Sequence, residues 1–103
     1  MQEEVLHQRV KLAMKEGRGY SIPLGPVNLV AVVTENGLIC NDVVDIEALE
    51  NYDYPAAKIG PAEGSVIETL EDLMEGEVTA ANLHAVQHRI EVGMSAREAA
   101  NRL

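Results

Sequence analysis

Seven residues constrain this chain more than any others. Val27 to Val33 reads Val-Asn-Leu-Val-Ala-Val-Val, apolar at every position except Asn28 and β-branched at four. Successive side chains of a strand point to opposite faces, so a run that is apolar without alternation suits a strand covered on both sides. Asn36-Gly37 follows, a pair that tolerates positive φ and favours a tight hairpin, and Leu38-Ile39-Cys40 reads as the returning strand. A central hairpin over 27–40 is therefore expected, inside a sheet with helices packed on it.

The remaining segments fill in that picture. Residues 1–18 read two ways. Leu6, Val10, Ala13 and Met14 fall on one helical face with Gly17 as a stop, while Val10, Leu12 and Met14 alternate as a strand would. The helical reading is the one favoured. Gly19 to Leu24 is a short extended piece, with Pro23 at an edge or a bend. Asp42 or Asp45 caps a short helix running to about Asn51, burying Val44, Ala48 and Leu49, and 56–59 is a candidate strand after Pro55.

Beyond the loop Gly60 to Ser65, a helical stripe runs over Val66, Ile67, Leu70, Leu73 and Met74 and ends near Gly76. Ser65 with Glu68 and Thr69 with Asp72 both have capping-box spacing for its start. Residues 77–80 suggest one more strand, and Asn82 caps a helix running to Arg89. Ser95 with Glu98 opens a last helix over Ala99, Ala100 and Leu103. Strands and helices mix without a strict alternating rhythm. The expected fold is α+β, a small mixed or antiparallel sheet with helices on it, in one domain over 1–103.

Composition narrows the partners. Of 103 residues 47% are hydrophobic but only 3% aromatic, namely Tyr20, Tyr52 and Tyr54, so aliphatic side chains must fill the core. Such a core leaves apolar surface for burial between subunits, and a homo-oligomer, most simply a dimer, is expected. The net charge of −9 repels phosphate backbones and anionic membrane surfaces, which argues against nucleic-acid and membrane partners. The lone Cys40 cannot form an internal disulfide, consistent with a reducing cytoplasm. The acidic start, Met1-Gln2-Glu3-Glu4, lacks the features of a signal peptide, and no apolar run approaches a bilayer's thickness.

Several segments taken together carry a resemblance. Asn28 to Val33, Gly37 to Cys40, Asp45 to Leu49, Thr69 to Leu73 and Val92 to Ala99 occur in an order and spacing that resemble the YunC-like family, over roughly residues 19–103. Two glycines usual in that family are replaced here by Asn41 and Ala96, and the loop Gly60 to Ser65 looks longer than is typical. The resemblance implies a fold and no agreed activity.

Candidate chemistry is sparse. His84 and His88, spaced i, i+4, would share one helical face and are candidate metal ligands, with Cys40, Glu91 or His7 as further donors. The competing reading is an ordinary pair of helical histidines beside Leu83, Ala85 and Val86. Cys40 is a candidate nucleophile near a helix start, although Asp42 and Asp45 would raise its pKa; the alternative is a buried cysteine acting as a small hydrophobe. Asn41 and Asp42, after the central hairpin, are candidate ligand-binding residues. No cofactor is indicated: Gly60 to Ser65 lacks the lysine of a phosphate loop and carries Glu63, and the glycines form no dinucleotide fingerprint. The carboxylates Glu68, Glu71, Asp72 and Glu75 lie opposite the apolar stripe, as a solvated face would. Arg97, Asn101 and Arg102 on the last helix imitate a DNA-binding helix pair, but residues 80–103 sum only to +1.

The function expected is a non-enzymatic interaction or small-ligand module. The alternative is a small enzyme or metal-binding protein using Cys40 with a histidine.

Overall fold

In a computed structural model that describes residues 5–62 and 66–103, six strands form a single sheet. They are β1 (Leu6–Lys11), β2 (Glu16–Pro23), β3 (Asn28–Val33), β4 (Leu38–Cys40), β5 (Ala56–Gly60) and β6 (Glu77–Ala81). Four short helices accompany them: α1 (Ile46–Glu50), α2 (Leu70–Met74), α3 (Leu83–Gln87) and α4 (Ala96–Arg102). Spatial order follows sequence order, and every neighbouring pair is antiparallel except β4 with β5. That parallel pair needs a crossover, which α1 supplies. The architecture is the expected α+β one, with a mixed sheet.

β3 is covered on both faces, as its composition requires. Val30 and Val32 join a large core with Ile39, Ile59, Leu70 and Leu73, whereas Ala31 turns the other way to pack with Cys40, Ile46 and Ala56. On the first face α4 lies close because Ala96, Ala99 and Ala100, spaced i, i+3, i+4, present no bulk. On the second face α1 covers β4, β5 and the Ala31 position of β3.

The N-terminal segment is a strand, which corrects the favoured helical reading. Val10 and Leu12 are buried while Leu6, Ala13 and Met14 are exposed. Pairing with β2 along the whole of β1 decided the matter, a non-local term that helical periodicity cannot contain.

The central hairpin forms, but not for the reason expected. Neither Asn36 nor Gly37 has positive φ. The connection is held by Thr34, whose amide donates to the Gly37 carbonyl at 2.8 Å and whose hydroxyl accepts from the Gly37 amide at 3.3 Å. Glycine is needed at 37 for space: a Cβ there would sit 2.2 Å from the Pro55 carbonyl oxygen.

The expected stripe from Val66 to Met74 is helical only over α2. Thr69 is the N-cap, its hydroxyl accepting from Asp72 N at 3.0 Å while Asp72 Oδ2 accepts from Thr69 N at 3.1 Å. A helix cannot continue upstream of its cap, so Val66 and Ile67 lie outside it. The other proposed start involves Ser65, outside the described residues. Asp45, not Asp42, caps α1, and this helix buries Ile46 rather than Ala48. Asn82 and Ser95 cap α3 and α4 as expected.

Candidate functional site

Parallel strands end side by side, so the chain must leave both at one edge, and crevices form outside their carboxyl ends. β4 and β5 do this here. The chain leaves β4 through Asn41, Asp42 and Val43 and leaves β5 through Gly60 and Pro61, and between them lies a cleft of about 430 Å³. Val27 from the β2–β3 turn, Val66 and Ile67 supply apolar walls, and Asn28 and Thr79 contribute polar groups. Asp42 and Glu68 are exposed, and among the described residues they are the charged members of its lining.

Asn41 fixes one wall. It is buried, and its side chain is fully used by backbone: Oδ1 accepts from Val30 N at 3.3 Å, and Nδ2 donates to Asn28 O at 2.8 Å and Ile67 O at 3.4 Å. This residue ties β3, the β4 exit and the segment before α2 together. A glycine could do none of this, so the asparagine at 41 has a structural role. Asp42 next to it reaches solvent.

Glu68 is positioned by its backbone. Its carbonyl accepts from Asn28 Nδ2 at 3.0 Å, and its amide donates to Asp72 Oδ2 at 3.0 Å. Donation from that amide and from Thr69 holds the Asp72 carboxyl below its ordinary pKa of 3.8. Sequence reasoning had no means of finding the cleft's other walls, because Val27, Gly60 and Thr79 meet only through sheet topology.

The remaining candidates lie elsewhere. Cys40 is fully buried on the α1 side of the sheet, its Sγ 3.6 Å from the Ala57 carbonyl. Burial pushes the thiol up to about 12, Lys58 opposing this and Asp42 adding to it. A thiol so held is neutral at physiological pH and a poor nucleophile.

His84 sits at the start of α3 against the end of α1. Its Nδ1 is 2.6 Å from Glu50 Oε2, its Nε2 3.4 Å from Asp53 Oδ1, and its backbone amide donates to Glu50 Oε1 at 3.1 Å. The Glu50 oxygen approaches off the ring's hydrogen-bonding direction, so this close contact is not an aligned hydrogen bond.

His88 turns back on its own helix, Nδ1 lying 3.0 Å from the His84 carbonyl. The two imidazoles thus have separate engagements despite their i, i+4 spacing. Among the described residues no three of His, Cys, Asp and Glu gather in a way that could hold a metal ion, and the Cys40 thiol donates to the Ala57 carbonyl rather than to a histidine. Arg97 donates to the Lys11 carbonyl at 3.1 Å and Arg102 pairs with Glu98 at 2.9 Å, so both C-terminal arginines have partners within the chain. No helix is long and apolar enough to cross a membrane among the described residues.

No curated protein matches the chain. Among solved structures, the fold is similar to that of TA1206, a protein of unknown function from Thermoplasma acidophilum. The TM-score is 0.83 at 16% identity, covering 95% of this chain and 91% of that one. At that identity the likeness concerns the fold alone. A family model matches residues 43–103, a span that takes in β5, β6 and all four helices. The chain therefore belongs to the family described as a domain of unknown function, DUF1805.

Proposed function

We propose that this protein is a non-enzymatic small-ligand-binding module whose site is the cleft at the carboxyl ends of β4 and β5. The observation that carries this reading is the lining: apolar walls from Val27, Val43 and Ile67 with two exposed carboxylates, Asp42 and Glu68. Concave, mostly apolar pockets with a few convergent polar groups are where small ligands bind. Two carboxylates, with no cation among the described lining residues, favour a ligand with an apolar body and a positive group, and oppose phosphates and carboxylates.

The enzymatic alternative finds no comparable support. Cys40 is neutral and enclosed, and His84 faces carboxylates rather than a thiol. The finer family reading, the YunC-like group, belongs to the same proposal and rests on the segments quoted above. So do a reducing cytoplasmic setting, favoured by the single cysteine, the absence of nucleic-acid partners, favoured by the net charge of −9, and a homodimeric assembly.

The test compares cyclohexylamine with cyclohexanecarboxylate by amide chemical-shift titration of the labelled protein. The amine is expected to shift Asp42, Val43 and Glu68 saturably, with binding weakened about fivefold or more in an Asp42→Asn, Glu68→Gln double variant. Equal shifts from the carboxylate, or none from the amine, would remove the proposal.

A further inference from the structure

Register assigns side chains to faces without further assumption, because directly paired residues project to the same side. Tyr20 pairs with Ala31, which pairs with Cys40, and Ala31 and Cys40 pack under Ile46 of α1. Arg18 likewise pairs with Val33 and through it with Leu38, which packs with the same cluster. His7 and Arg9 of β1 pair with Tyr20 and Arg18. These side chains therefore share the sheet face that carries α1. Burial pushes the Tyr54 phenol up and the charge of Arg18 opposes it, an independent sign that Arg18 lies toward the α1–β5 corner.

This face has two unlike halves. Over β4 and β5 it is roofed by α1. Toward β1 and β2 the cover gives out: Ala31 of β3 is still buried beneath Ile46, but Leu29 and Val33 beside it and Ile22 of β2 are half-buried, and Arg9 and Arg18 are exposed. Charge divides in the same way. Residues 6–23 carry four of the chain's eight lysines and arginines against one carboxylate, whereas residues 42–53 carry five carboxylates and neither lysine nor arginine; Glu16 and Glu35 line one hollow with Arg9 and Arg18 and offset part of the basic half's charge. Arg9 and Arg18 stand directly opposite each other, a like-charge pairing that weakens an isolated hairpin, and among the described residues neither has an ion-pair partner. Beside them the rings of His7 and Tyr20 stack at 4.7 Å, making a flat platform. On the opposite half Glu47, Ala48 and Tyr52 of the α1 region are exposed, Tyr52 at 77%.

We infer that this face is a two-fold interface with a second copy of the chain, in which the acidic, protruding α1 region of each copy docks on the bare, basic β1–β2 surface of the other. A two-fold axis needs a surface that is its own complement, and a raised acidic half beside a flat basic half meets that condition in shape and in charge. Tyr52 is the anchor expected at the centre of each contact, since a tyrosine buries much area at small entropic cost. A nucleic acid is the less suited occupant, because the acidic α1 region borders the basic half and would repel its backbone. The inference is independent of the ligand cleft, so failure of either leaves the other standing.

Sedimentation equilibrium of the full chain at low and high salt tests it, with circular dichroism confirming that each variant is folded. The parent is expected to be a dimer that weakens as salt rises. Arg18→Glu and Tyr52→Ala are each expected to weaken association at least about tenfold, and adding Glu47→Arg to Arg18→Glu is expected to restore part of it. A parent that is monomeric at all concentrations overturns the inference. So does a dimer indifferent to both single substitutions but broken by Leu83→Glu on α3. A monomer that binds a single-stranded oligonucleotide, with loss on Arg18→Glu, would reassign the face to that partner.

Discussion

At Cys40 solvation decides the chemistry. The sequence allowed a nucleophile or a small core side chain, because nothing in one sequence reports how much water a thiol sees. With Sγ enclosed and its pKa raised to about 12, the thiol should resist a chromogenic disulfide reagent at pH 8 until the protein is unfolded. The linkage has a definite sign. Above the ordinary value of 9.0 an unfolded chain loses this proton and the folded one keeps it, so stability falls as pH rises from about 9 toward 12. Rapid labelling of native protein at pH 8 would contradict the burial. The histidines teach a related lesson. Their spacing was legible, but the partners of His84, Glu50 and Asp53, lie more than thirty residues away and could not be read from it.

The elements divide by how local their determinants are. Helix starts at Asn82 and Ser95 were readable outright and those at Asp45 and Thr69 as one of two alternatives, since a cap and the amides it serves lie within three residues. β1 was not, because its stability resides in a partner strand. The α2 start yields a pH test. Asp72 has its pKa lowered chiefly by accepting from the Glu68 and Thr69 amides, so its contribution is present above pH 3.8 and is lost as pH falls through the lowered folded value. Asp72→Ala should therefore lower the melting temperature at pH 7, and the difference from the parent should shrink as pH drops below 3.8. A difference unchanged at low pH would mean that the cap works through something other than the carboxylate's charge.

At the scale of the whole molecule, composition indicated a doubly covered central strand, and β3 is one, but not which strands flank it or that one pair runs parallel. The candidate cleft follows from that parallel pair. Asn41 and Asp42 were legible as residues of interest after the hairpin, whereas the walls facing them are brought in by topology. A different residue holds the crossover together. Asn82 is buried, and both ends of its amide are occupied: Nδ2 donates to Ile46 O and Tyr54 O at 3.0 and 2.9 Å, and Oδ1 accepts from Ala56 N and Ala85 N at 3.1 and 2.9 Å. One side chain thus joins α1, the entry to β5 and α3. None of these can leave without stranding a polar group, so they should open as one cooperative unit rather than fray singly. In native-state hydrogen exchange the Ala56 and Ala85 amides, twenty-nine positions apart in the chain, should share one opening free energy and one denaturant slope. Two distinct slopes would show that the crossover comes apart in steps.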